Sequence, residues 1–282
     1  MRRTALADTV LICFVRVGVG ITLACLLGII WQVVHLGGQH LSWAFLTTDA
    51  ENAGRDGGIA PMLWATTGIL FVTVVVAVPL GLGVAVWLSE YVDSSRRWAR
   101  ATSLVLDALA GVPSIVFGLF GSAFFCDFLG LGFSLLAGGL TLACMVLPLV
   151  VRSAQTSLAA LPDGWRLGAA AVGMSRVHLV RSVLLPAAAP GVAVGVMLGA
   201  GRALAETAAL VFTSGYVDRR PTSLLESGRA LSVHIYDLTM NVAGGDQAAY
   251  ASAFVLMGLI LFINAVTMGL GGVGYRRPGR GS

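Results

Sequence analysis

No lysine occurs anywhere in the 282 residues; all 18 basic side chains are arginine. A phosphate-binding loop of the G-x-x-x-x-G-K-[ST] kind needs its lysine at the β- and γ-phosphates. The chain therefore has no ATP site of that kind. Charge of either sign is scarce: 11% of residues are charged and 57% hydrophobic, and mean hydropathy is +0.86. Soluble domains carry about 25% charged residues, and no polar block here is long enough to form one. Cys13, Cys25, Cys126 and Cys144 lie in or beside apolar runs, without the spacing of a disulfide framework or a metal site. They read as small hydrophobes. His35, His40, His178 and His234 have no ligand spacing either. Gly269 to Gly274 fits G-x-G-x-x-G, but no strand precedes it, which excludes a dinucleotide fold. The net charge of +4 is spread between apolar stretches, unlike the clustered footprint of a nucleic-acid binder. No catalytic residue, metal or cofactor is expected, and no nucleic-acid partner.

What is present is a series of apolar stretches long enough to cross a bilayer. The expectation is an all-α membrane protein of six transmembrane helices: about Thr9–Val34, Met62–Leu88, Ala101–Phe125, Phe133–Val151, Pro186–Thr213 and Tyr250–Gly271. The first begins after Met1-Arg2-Arg3 and is too long for a signal-peptide core; Arg16 within it reads as a snorkelling side chain. Pro79 should kink the second span. Pro113, in AGVPSIVFGLFG, should break the third, and Arg152 should end the fourth. Three parts follow: residues 1–60, a first span with an outer connector; 61–272, a core of the later five spans with a polar loop at 152–185; and 273–282, a basic tail.

Six spans place both termini on one side. Twelve of the 18 arginines fall in the tails and loops of that side, from Arg2 to Arg280, and four, Arg55, Arg219, Arg220 and Arg229, on the other. The positive-inside rule makes the first side cytoplasmic. The expected location is a membrane crossed several times, with both termini and the 152–185 loop on the cytoplasmic side and Ser214–Ala249 outside, the latter carrying a short helix.

Two elements are left to carry chemistry. The first is Arg202 and Glu206 in the fifth span. At about 100° per residue they share a sector of about 80° with Gly191, Gly195 and Gly199. Small residues every four positions let another helix approach closely. A lone charge at mid-bilayer costs at least ~2.5–3.5 kcal/mol, so this pair should face the bundle interior. It reads either as a structural ion pair or as a charged element on a translocation path. A guanidinium matches phosphate oxygens, and a nearby carboxylate would keep the stop transient. The second element is the small-residue helix within Arg166 to Val180, holding Gly168, Ala169, Ala170, Ala171 and Gly173. Such a helix presents its backbone closely to whatever grips it. A loop lying at the lipid headgroups is the other reading.

Leu167-Gly168-Ala169, Gly173 and Val183-Leu184-Leu185-Pro186 resemble the cytoplasmic loop E-A-A-x3-G-x9-I-x-L-P of ATP-binding-cassette importer permeases. Leu167 stands in the glutamate position and Gly168 in that of the first alanine. Arg166 is the residue expected to take over the lost polar contact. GGIAPMLWATTG, VPLGLGVAVWLSEY, AGVPSIVFGLFG and RALAETAALVFTSG look like the phosphate-specific transport permeases; LSWAFLT and ALSVHIYDL look like the PstA branch.

The resemblance implies a type I importer permease fold and a non-catalytic subunit forming half of a pathway for inorganic phosphate. It implies a PstC-like permease partner, a PstB-like ATPase dimer and a PstS-like phosphate-binding protein. It further implies that Arg166, Leu167, Gly168, Ala169, Gly173 and Pro186 belong to the ATPase-coupling loop. It favours the pathway reading of Arg202 and Glu206 over the structural one. Three other readings stay open: a permease for sulfate or molybdate, an ion-coupled transporter acting alone, and a lipid-acting membrane enzyme. The last would need a nucleophile–base pair or metal cluster, and the sequence presents none.

Overall fold

The computed structural model describes residues 2–92 and 97–273, with side chains from 11 to 269 outside the gap. Arg96 and the basic tail from 274 lie outside the described residues. Helix α1, Arg2–Gln39, leads through a short α2, Trp43–Thr47, to a two-stranded hairpin of β1, Ala50–Glu51, and β2, Asp56–Gly57. Next come α3, Ala60–Val86; α4, Arg97–Gly111; α5, Ser114–Gly121; and α6, Leu135–Ala159. The loop after α6, called the handle below, holds α7, Asp163–Ala171, and α8, Arg176–Leu179. The chain ends with α9, Leu185–Leu204; α10, Ala208–Val211; α11, Leu231–Met240; and α12, Asp246–Val273. Among the described residues, five helical stretches are long and apolar enough to span a membrane, or six if the bent pair α4–α5 counts as one.

The bundle is built on α3, α6 and α9, with α12 against α9 and α1 against α12. The α3–α6 core is filled by Ala65, Ile69, Ala77, Leu142, Ala143 and Val146. At the other end of the same pair, Ala85, Leu88, Val151 and Ala154 are buried with Ala99 and Leu106 of α4. Pro113 breaks the third span as expected, and the two halves meet at 103°. Its missing N–H and its clash with the preceding turn leave no continuous ladder there.

Several boundaries differ from expectation: α1 runs Arg2–Gln39 against an expected span of about Thr9–Val34, and the fourth and fifth spans differ as well. Arg152 lies inside α6, which continues to Ala159. It does not end the helix because Asp107 of α4 pairs with it and the Ser103 carbonyl accepts from it at 3.1 Å. The fifth span begins before Pro186: helix α8 passes through a wide π turn, Val180–Leu184, directly into α9. The turn lengthens the hydrogen-bond ring, with the Leu185 amide donating to Val180 O. That accommodates a proline at the next position.

The candidate translocation and coupling sites

Helix α9 meets α6 along its glycines. A Cβ on Gly191 would collide with the Ser157 hydroxyl, and one on Gly195 with the Ser153 side chain; Gly199 has ordinary contact with Val146 and Val150. The Ser153 hydroxyl donates to Gly191 O at 2.9 Å, so the crossing is both close and pinned. Toward the handle this contact opens into a groove of about 770 Å³, lined by Arg152, Ser153, Thr156 and Ser157 of α6 and by Gly191 and Val194 of α9.

The expected continuous helix through Glu206 is not what forms. Helix α9 stops at Leu204; Ala205 and Glu206 make closing turns, and α10 restarts at Ala208. Glu206 Oε1 accepts from the Ala209 amide at 3.3 Å, and its carbonyl accepts from the Ser232 hydroxyl of α11. The carboxylate thus serves an amide that the break leaves without a helical partner. Because of the break, Arg202 and Glu206 do not form the i, i+4 ion pair. The Arg202 side chain is exposed on the isolated chain, and among the described residues no carboxylate lies within salt-bridge distance of it.

Of the handle residues, Leu167 is 72% exposed and Val172 75%, and Gly168 has open space around it. Ala169 is buried against Leu158, Leu179, Val180 and Leu184, and Met174 packs on the same cluster. Gly173 has a φ of +69°. The Gly173 amide donates to Ala170 O and the Met174 amide to Ala169 O, at 3.1 and 2.9 Å. This is the Schellman closure of a helix, which places glycine at the left-handed position. Its spacing in the sequence therefore has a local backbone reason. Pro186 is exposed at the start of α9.

Arg166 does not point outward to a partner. Its Nη2 and Nε donate to Glu90 Oε1 and Oε2, at 2.6 and 3.1 Å, and its remaining N–H groups reach Leu158 O, Leu161 O and Asp163. The hydrogen bond to Glu90 raises the Arg166 pKa further, against the opposing effect of burial. Glu90 sits on the π turn Trp87–Tyr91 that ends the second span, with its side chain 8% exposed. Sequence reading missed it: one acid at the end of an apolar run, 76 positions from its arginine, carries no pairing signal.

A second buried cluster lies at the opposite end of the bundle. Arg229 pairs with Asp237 at 3.0 Å and donates to Tyr216 O at 3.0 Å, and its side chain is 8% exposed. Beside it His234 of α11 is fully buried, with neither ring nitrogen hydrogen-bonded among the described residues. The imidazole fills the space beneath Gly54 of the hairpin. Burial, with the Arg229 charge adding to it and Asp237 opposing, pushes its pKa down to about 4.

A broken-span bundle with a small-residue handle between its fourth and fifth spans is the arrangement of importer permeases. Residues 77–272 match the family described as binding-protein-dependent transport system inner membrane component, and the chain belongs to it. A Bacillus subtilis relative, described as the probable ABC transporter permease protein YqgI, is 30% identical, over 90% of this chain and 91% of its own. The phosphate transport system permease protein PstA 1 of Mycobacterium tuberculosis is 33% identical, over 78% and 73%. The phosphate transport system permease protein PstC of Mesorhizobium japonicum is 30% identical, over 93% and 88%. Among solved structures, a bacterial alginate ABC transporter chain overlays at a TM-score of 0.67, covering 94% of this chain and 96% of its own at 14% identity. A chain of the MetNI methionine ABC transporter overlays at 0.64, covering 77% and 96% at 18% identity. At those identities the overlays establish the fold. The chain is a multi-pass inner-membrane permease subunit.

Proposed function

We propose that the chain is the PstA-like half of the transmembrane pathway of an ATP-driven phosphate importer. The observation that carries the reading is Arg202: a guanidinium at the end of a span, exposed on the single chain and without a carboxylate partner among the described residues. Such a group is expensive against lipid and well matched to an oxyanion on a path shared with a second permease. Glu206, two residues past the helix end, keeps negative charge near that stop so that the anion moves on. Relatives named as phosphate transport system permeases support the substrate.

In this account the partners are a PstC-like permease, a PstB-like ATPase dimer and a PstS-like phosphate-binding protein. The subunit hydrolyses nothing itself. The coupling loop presents Leu167, Gly168, Gly173 and the exposed Val172 to the ATPase, while Ala169 and Arg166 anchor it from behind. The permease core takes residues 61–272. The arginine distribution supports cytoplasmic placement of the loop and both termini. The test is uptake of radiolabelled phosphate by the assembled complex in proteoliposomes. Uptake should require ATP, be blocked by vanadate and be unaffected by excess sulfate. Competition by sulfate, or uptake driven by an ion gradient without ATP, would refute it.

A further inference from the structure

The pairing of Glu90 with Arg166 belongs neither to the pathway nor to the outward face of α7. One guanidinium there gathers three elements: Glu90 from the end of the second span, Leu158 O from the end of α6, and Leu161 O with Asp163 from the approach to α7. The chain itself joins α7 to α6 through residues 160–162, and to α9 through Gly173 and α8. No covalent connection reaches α3. Among the described residues, Glu90 is the group at that end of α3 that hydrogen-bonds to α7. Val86 adds only apolar contact with the Leu158–Ala169–Leu179 cluster.

An apolar contact permits sliding, whereas a two-point carboxylate–guanidinium pair fixes both distance and orientation. Glu90 is 8% exposed and Arg166 25%. An ion pair this far out of water is weak support for stability, and an apolar pair of similar size would hold a static contact as well. Apart from Arg166, the residue that α7 turns toward the bundle is Ala169, whose single methyl makes only apolar contact. A pocket of about 240 Å³ flanks the pair, lined also by Ala170, Met174 and Arg176, and leaves room for α7 to shift against its support.

We propose that Glu90 is a positioning residue that acts through Arg166: it passes displacement of the handle to α3, so that movement enters the bundle through three helices rather than two. The inference rests on the reading that a separate ATPase moves α7.

The test uses the assembled complex in proteoliposomes, with Glu90→Gln and the exchanged pair Glu90→Arg with Arg166→Glu. Glu90→Gln should assemble and hydrolyse ATP at the wild-type rate while phosphate carried per ATP falls about tenfold, and the exchanged pair should recover most of that ratio. A wild-type ratio in Glu90→Gln overturns the proposal. So does an exchanged pair that assembles and stays as uncoupled as Glu90→Gln. A second arm needs no substrate. In a chain lacking its native cysteines, Tyr91→Cys should change its maleimide labelling rate when vanadate traps nucleotide. Adding Glu90→Gln should remove the change, and a persisting change overturns the proposal. If the wild-type complex carries no phosphate, the proposed substrate fails and the labelling arm alone decides the role of Glu90.

Discussion

His234 provides a pH dependence whose sign follows from its surroundings. The imidazole is buried with no hydrogen-bond partner among the described residues, faces Arg229 and Asp237, and has a pKa lowered to about 4. In the unfolded chain it titrates near about 6.5. The folded state therefore holds the neutral ring. That preference is fully in force above about pH 6.5 and is lost as pH falls toward about 4. Linkage over that interval gives about 2.5 kcal/mol of lost stability by pH 4.5, or roughly 5–10 °C in Tm for a chain of this size. His234→Leu removes the titrating group and two unsatisfied nitrogens, and at pH 7.5 should change stability by less than about 1 kcal/mol. The assay is thermal unfolding of the purified protein in detergent at pH 7.5, 6.5, 5.5 and 4.5, wild type against variant. Surface carboxylates titrate in both proteins, so the difference between the two curves is the measurement. Parallel curves would refute the reasoning. So would a variant that loses more than about 3 kcal/mol at pH 7.5, because the ring would then be making a bond the structure does not contain.

Gly195→Ala places a methyl against the Ser153 side chain and should cost about 1–3 kcal/mol. A double-mutant cycle with Ser153→Gly, read as Tm, should return a favourable coupling of about 1 kcal/mol or more; additivity would place the helices further apart than described. Gly173→Ala forces a side chain into the left-handed region, at about 1–2 kcal/mol. Because the strain is local to the handle, it should appear as faster amide exchange over Asp163–Leu179 more than as a change in Tm.

The sequence announced whatever depends on local composition. Apolar stretches marked the spans, Pro113 marked the break between α4 and α5, and glycines at every fourth position of α9 marked its face toward α6. Gly173 looked like a member of one small-residue helix running from Arg166 to Val180; its left-handed φ instead closes α7 at Ala171, and α8 starts anew at Arg176. What stayed hidden depends on partners distant in sequence. Arg152 looked like the end of a span because Asp107, 45 positions earlier, gives no sign that it will neutralise it. Arg166 looked outward-facing because its carboxylate is 76 positions away on another helix. The stop at Leu204 was hidden as well. ALAETAAL has no proline or glycine, and the break is held by Glu206 bonding to Ala209 and by Ser232 supporting the Glu206 carbonyl. Ser232 arrives from α11, after the longest connector in the chain. His234 carried no ligand spacing, and only burial beneath Gly54 reveals its unusual environment.

The measurement closest to the centre of the account is phosphate uptake by the complex carrying Arg202→Gln. The substitution keeps a side chain of similar reach and removes the permanent charge. With insertion and assembly with the ATPase unchanged, ATP-dependent uptake should be abolished. Uptake at the wild-type rate by that correctly assembled variant would take Arg202 off the path and contradict the account.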